Sequence, residues 1–289
     1  MRLATFDGRI HALTGDFDDP STRAFDLAAL TGLSPNPVEF LGAGGIDAAR
    51  EALGDAPAGR PVEAFRVDPV VLGPRAIWAV GLNYRDHAAE TGRPVPPAPA
   101  LFTKSPGALI AHGAPIVVPP HVDQPDYEGE VAVVVGRDAR DVLEEDALDF
   151  VAGITIGHDV SARDHQFTTG QFSWSKSFDT FCPLGPVLVT LDELDVFDLP
   201  IETRLNGDVV QSSTTAQLAY SVPKLLAWIT QGLTLLAGDV ILTGTPAGVG
   251  AARDPQRFLQ DGDVVEITVS GVGTLRNPVV RAGDARPRS

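Results

Sequence analysis

Cysteine is nearly absent from this 289-residue chain: Cys182 stands alone, so no intramolecular disulfide can form and a Cys-rich zinc site is excluded. Positive charge is also scarce. Against 38 Asp and Glu there are 22 Lys and Arg, a formal net charge of −16. Such a surface repels phosphate backbones and anionic lipid, which argues against a nucleic-acid or membrane partner. It also means that an anionic substrate needs a local positive site. No apolar run approaches the roughly 20 residues that span a bilayer. The N-terminus turns polar at once and has no apolar core of a signal peptide, so a cytoplasmic protein is expected. The strand–Gly-x-Gly-x-x-Gly–helix fingerprint, the Gly-Lys-Ser/Thr ending of a P-loop and the Gly-x-Ser-x-Gly elbow are missing too, which removes the usual nucleotide and serine-hydrolase readings.

What is present is a balanced globular composition, 44% hydrophobic and 21% charged, on a chain long enough for one large domain and a smaller one. Short apolar segments at 3–6 and 9–13 flank Asp7-Gly8, a hairpin signal; 203–205 and 209–211 flank Asn206-Gly207-Asp208, another. Strands are expected at 66–72, 77–82, 116–118, 131–135, 154–156, 187–189, 240–242, 264–269 and 274–280. Helical patterns occur at 22–31, 46–53, 83–90, 143–150 and 222–231. A Pro- and Gly-punctuated stretch at 56–61 sets off a small N-terminal α/β domain, residues 1–70, from the main domain, 71–289. Many short strands and few helices give a β-rich α+β class.

The chemistry concentrates in a few stretches. Asp126-Tyr127-Glu128-Gly129-Glu130 leads into the β-branched run Val131 to Val135. Strand alternation puts Asp126, Glu128 and Glu130 on one face, where like charges repel and resist desolvation. Either the strand end is hydrated, or a hard divalent cation collects the oxygens. Asp159, just beyond the strand at 154–156, would make a third carboxylate. Lys176 sits among aromatic and small residues, as a desolvated functional lysine or as the partner of Asp179. His87 and Glu90, at i and i+3 of a short helix, could work as a proton-transfer pair ahead of the Pro-rich, lid-like run 94–99. The loop Thr243 to Gly250 offers backbone N–H groups and hydroxyls to an anion. His11, His112 and His121 show no supporting partners, and Cys182 reads as a small buried residue.

Seven phrases in order, GLNYRDHAAETG, FTKSPGAL, DYEGEVAVVVG, GHDVSARDHQ, SWSKSFDTFCPLGP, LNGDVVQSSTTAQ and GDVILTGTPAGVG, resemble the fumarylacetoacetate hydrolase family over nearly all of 77–278. The length and the N-terminal segment resemble its longer bacterial members, the 2-hydroxyhepta-2,4-diene-1,7-dioate isomerases and acylpyruvate hydrolases. The resemblance implies a mixed β-roll, a homodimer, and Glu128, Glu130 and Asp159 as ligands of Mg²⁺ or Mn²⁺, with Ca²⁺ also within the family's range. It implies His87 and Glu90 as the catalytic pair on a lid and Lys176 beside metal and substrate. Arg163, Asp164, Gln166 and Thr245 would line the substrate site, with Lys104 nearby. The substrate implied is a small anionic 2-oxo or 2,4-dioxo acid. Hydrolysis of an acylpyruvate C–C bond ranks first, then isomerisation of hydroxymuconate-type acids or decarboxylation of oxaloacetate on the same site. A metal-free Schiff-base lyase using Lys176 and a non-catalytic oxo-acid binder are the readings from other classes.

Overall fold

The computed structural model describes residues 1–55 and 59–283. Of the punctuated stretch at 56–61, residues 56–58 therefore lie outside the described residues. The run Gly129–Val135 forms the centre of the molecule because it is buried on both faces, as its continuous β-branched sequence demands. It pairs antiparallel with Val151–His158 on one side and with Val240–Leu242 on the other. The sheet extends through Cys182–Val189 in one direction and through Ile77–Gly81 and Ala100–Lys104 in the other, in an eleven-stranded mixed assembly. A second sheet of five strands, Asp208–Thr214, Pro200–Leu205, Val264–Val269, Gly273–Arg281 and Ile116–Val118, packs against it.

Alternation along the central strand divides the core. Val131, Val133 and Val135 share one apolar cluster with Ile201, Val265 and Ile267 of the second sheet; Ala132 and Val134 belong to another, with Leu3, Ile10, Phe40 and Leu242. Burial of these apolar side chains, at about 25 cal/mol per Å² removed from water, holds the two layers together. The class is α+β and strand-dominated, a mixed β-roll. Among the described residues no helix is long and apolar enough to cross a membrane.

The first strand, Arg2–Phe6, is hydrogen-bonded to Cys182–Val189 through Arg2 opposite Val189 and Leu3 opposite Leu188. The expected boundary near residue 70 thus runs through one continuous sheet and one apolar cluster, which holds Leu27 and Phe40 together with Val70, Val71 and Ile77. Two sequence expectations need correction. Residues 22–31 are not one helix but the strand Arg23–Asp26 followed by the helix Leu27–Thr31, because Asp26 stops the strand and accepts from Ala29 N at 3.2 Å as a cap. Residues 66–72 form no strand beyond a bridge from Val67 to Phe6, since Pro69 has no N–H to give a ladder. The helical pattern at 143–150 is a helix from Glu144 to Phe150, of the 3₁₀ type. The strand Ala100–Lys104 was not anticipated.

His11 also departs from expectation: its ring lies 5.4 Å from that of Phe6 and 5.0 Å from that of Phe65, with Nδ1 2.9 Å from Arg9 O. Burial pulls its pKa below the ordinary 6.5. The unfolded chain therefore takes up more protons than the fold once the pH drops below that value, and stability falls with it. His11→Phe, which keeps an aromatic ring in the stack, is expected to flatten the decline in melting temperature between about pH 6.5 and 5. An unchanged acid limb in thermal scans would assign that decline to other groups. Cys182 is buried as expected, its thiol pushed up to about 12 by burial.

Candidate functional site

The register of the central pair builds the acidic cluster. Gly129 faces His158 and Glu130 faces Gly157, so Asp159, the next residue, comes to lie beside Glu128; its N–H donates to Glu128 O at 2.9 Å. Carboxylate oxygens of Glu128, Glu130 and Asp159 lie within 4.8 Å of one another, and all three residues are buried. Gly129, between the two glutamates, has to be glycine because a Cβ there would collide with Thr203 Oγ1. Asp126 does not join the cluster. Pairing is broken at residues 127 and 128, and the Asp126 carboxylate turns to accept from Gly250 N at 2.7 Å, Ala251 N at 3.0 Å and Arg163 Nε at 2.8 Å.

Cations cover two of the three carboxylates. Lys176 Nζ donates to Glu128 Oε2 at 2.7 Å and to Asp159 Oδ2 at 2.6 Å, so its partner is not Asp179. Lys104 Nζ donates to Asp159 Oδ1 at 2.6 Å and also to Lys176 O, and Arg163 Nη2 reaches Glu128 Oε1 at 2.5 Å. Burial alone would raise Glu128, but Lys176 and Arg163 outweigh it and hold its carboxyl well below the usual range. Burial likewise pulls Lys176 down, and Asp159 and Glu128 reverse that, leaving the ammonium above its ordinary value. Glu130 is different. Its hydrogen bond comes from Gly244 N at 2.7 Å, and burial with Asp159 and Glu128 pushes its pKa well up. An all-oxygen set with one buried carboxylate lacking a cation of its own fits a hard divalent ion, and Glu128, Glu130 and Asp159 could hold it.

A cavity of about 290 Å³ opens over this cluster, of a size for a small metabolite. Its lining includes His87, Glu90, Arg163, Gln166, Lys176 and Thr245 from the sequence reading. The helix Arg85–Glu90 brings in the first pair, with His87 Nδ1 3.2 Å from Glu90 Oε2. Glu90 Oε1 accepts from Gly248 N at 2.8 Å. The Pro-rich run that follows is tied down by Tyr220 Oη, which donates to Pro96 O at 2.5 Å. Thr245 Oγ1 donates to Gly129 O at 3.0 Å. The N–H groups of the Gly-rich loop reach anions, but anions of the protein itself: Gly244 serves Glu130, Gly248 serves Glu90 and Gly250 serves Asp126. Gly244 manages this with φ +104°, open only to glycine at low cost.

Two expected residues do not line the cavity. Asp164 follows Arg163 on the helix Arg163–Thr169, and neighbours on a helix diverge by about 100°, whereas Arg163 and Gln166, three apart, share a face. Arg163 Nη1 accordingly donates to Gln166 Oε1 at 3.0 Å, while Asp164 Oδ2 accepts from Asp123 N at 2.9 Å. Lys104 lies behind the cluster, where it steadies Asp159.

The sequence reading also passed over Gln211 and His158. Gln211 Oε1 accepts from Gly129 N at 3.0 Å, and its Nε2 donates to Thr245 Oγ1 at 2.8 Å and Pro246 O at 2.9 Å, joining the glutamate strand to the Gly-rich loop. Its one signal was a glutamine inside a resembling phrase. His158 is buried, its Nε2 without a hydrogen-bond partner among the described residues, and burial with Lys104 lowers its pKa to about 3, so it stands neutral beside the cluster.

The family model described as fumarylacetoacetate (FAA) hydrolase C-terminal matches residues 76–280, a span holding every residue of the cluster and the His–Glu pair. Oxaloacetate tautomerase fahd2, mitochondrial, of Xenopus laevis is 45% identical over 213 residues, 73% of this chain and 67% of that protein. The solved 5-carboxymethyl-2-hydroxymuconate delta-isomerase of Mycobacterium smegmatis is 38% identical, with a TM-score of 0.79 over 98% of this chain and 100% of that one. The fumarylacetoacetate hydrolase of Exiguobacterium antarcticum is 37% identical, with a TM-score of 0.83 over the same shares. The chain belongs to the fumarylacetoacetate hydrolase family of enzymes.

Proposed function

We propose that the protein interconverts the keto and enol forms of a 2-oxo acid, or shifts a double bond in one, by proton transfer at His87. The observation that carries this reading is the His87–Glu90 pair, held by Gly248 on the wall of a cavity lined by Glu128, Glu130 and Asp159. Glu128, Glu130 and Asp159 would hold a divalent ion, Mg²⁺ or Mn²⁺, which would supply Lewis acidity toward a 2-oxo acid. The rest is the work of the chain. An ionised carboxylate only accepts, so the hydrogen between His87 and Glu90 resides on Nδ1 and leaves Nε2 as the base. Nε2 takes a proton from the carbon next to the oxo group, or returns it at another atom. Lys176, fixed between two carboxylates and strongly held as the ammonium, adds positive charge at the substrate's anionic end. The same contacts deprive it of the free amine that a Schiff base needs.

Hydrolysis of an acylpyruvate C–C bond, first on the sequence reading, is the second reading. It is favoured by the likeness to the Exiguobacterium antarcticum hydrolase, and it gives the same Nε2 a proton from water instead of carbon. The test is a screen of oxaloacetate, hydroxymuconate-type acids and acylpyruvates with Mg²⁺, Mn²⁺ or EDTA. Enol conversion or isomerisation that disappears with EDTA is expected. Pyruvate release from acylpyruvates, without enol conversion, would move the assignment to the hydrolase. Full turnover in EDTA would sink both.

A further inference from the structure

Four carboxyl groups line the cavity, Glu90, Glu128, Glu130 and Asp159, against three permanent cations, Arg93, Arg163 and Lys176. Two of those cations are spent inside the protein. Arg163 gives Nε to Asp126, Nη2 to Glu128 and Nη1 to Gln166; Lys176 bridges Glu128 and Asp159. The guanidinium of Arg93 makes no hydrogen bond or ion pair with any described residue, and the residue is exposed. Its backbone is nonetheless fixed. Gly92 turns left-handed at φ +65° after the helix Arg85–Glu90, and Arg93 N then donates to the carbonyl of Ala88, the residue next to His87, at 3.0 Å. Apolar side chains of Val80, Leu82, Phe102, Phe167 and Phe172 share the lining, with Phe102 and Phe172 edge to face at 5.6 Å.

A cavity with an occupied polar floor, an apolar wall and one uncommitted guanidinium suits a chain that is charged at both ends. The geometry points to Arg93 as the specificity-determining residue that reads a second carboxylate, at the end of the substrate away from the 2-oxo group. This rests on the proposed function, which supplies the 2-oxo end. A guanidinium fits a carboxylate with two parallel N–H donors, which a lysine cannot reproduce.

The test uses Mn²⁺-loaded protein and calorimetric dissociation constants for three probes: oxalate, 2-oxohexanoate and 2-oxoadipate. The last two share a six-carbon chain and differ in the terminal carboxylate. Arg93→Ala is expected to weaken 2-oxoadipate about tenfold, the scale of one charge-assisted contact at a partly solvated mouth. Oxalate and 2-oxohexanoate should stay within about twofold, and Arg93→Lys should recover part of the loss. Arg93→Gln, which keeps most of the stem, is the second variant, and matching melting temperatures show that each variant is folded. Equal weakening of all three probes, or none of any, overturns the assignment while intact oxalate binding in the wild type leaves the proposed function standing. Failure of the wild type to bind any probe overturns both.

Discussion

His87→Ala is expected to lower kcat by about 10²–10⁴-fold, the usual cost of losing a positioned acid–base group, and to leave Mn²⁺ affinity unchanged. Its ring lines the cavity and bonds Glu90, and it is not among the residues whose oxygens cluster. Steady-state rates on the best substrate of the screen and calorimetric titration with Mn²⁺ read the two halves separately. A collapse of metal affinity would make His87 a ligand and remove it from proton transfer. Glu90→Gln sharpens the point. Glu90 uses both oxygens, one for Gly248 N and one for His87. Glutamine has one oxygen; kept on Gly248, it turns an NH₂ toward Nδ1 and favours the tautomer with the proton on Nε2, the wrong one for a base. Its activity should therefore approach that of His87→Ala with little change in melting temperature.

How much of this was legible in the sequence depends on the range of the forces involved. The central strand was legible because a β-branched run with no polar face can only be buried on both sides, as Gly129–Val135 is. The two hairpins were legible because Asp7 and Asn206 tolerate the left-handed turns they adopt, at φ 49° and 55°. Residues 22–31 misled because the helical spacing is real for its second half, and the pairing of Ala24 with Leu13, which overrides it, is made with another strand and leaves no mark on the local pattern. Asp126 misled for a related reason: alternation was carried through residues 127 and 128, where no partner strand enforces it. The seven phrases singled out the three clustered acids and the His–Glu pair together, since a family resemblance points to residues that spacing leaves open. Gln211 and Arg93 were beyond reach. One joins three groups, the other has a guanidinium that bonds to no described residue, and both facts need coordinates.

The two carboxylates Asp159 and Glu130 should respond to neutralisation with opposite effects on the metal-free protein. Around the cluster four carboxylates, Asp126, Glu128, Glu130 and Asp159, face three cations, Lys104, Lys176 and Arg163. Asp159 is fully buried and takes an ammonium on each oxygen. Asp159→Asn removes the charge that both lysines were paired against, and breaking a buried pair from one side costs about 3–5 kcal/mol. Denaturant unfolding in EDTA should show that loss. Among the described residues Glu130 neutralises no cation by direct contact, and its surroundings already favour the protonated carboxyl. A glutamine there keeps an oxygen for Gly244 N and sheds the repulsion from Asp159 and Glu128, so Glu130→Gln should unfold at the same denaturant concentration as the wild type or higher. Added Mn²⁺ should raise the melting temperature of the wild type, by mass action on the folded state, and of neither variant. If Glu130→Gln proved as costly as Asp159→Asn in EDTA, Glu130 would be balancing a structural charge. The surplus negative charge that a divalent ion would answer would then have to lie elsewhere in the cluster.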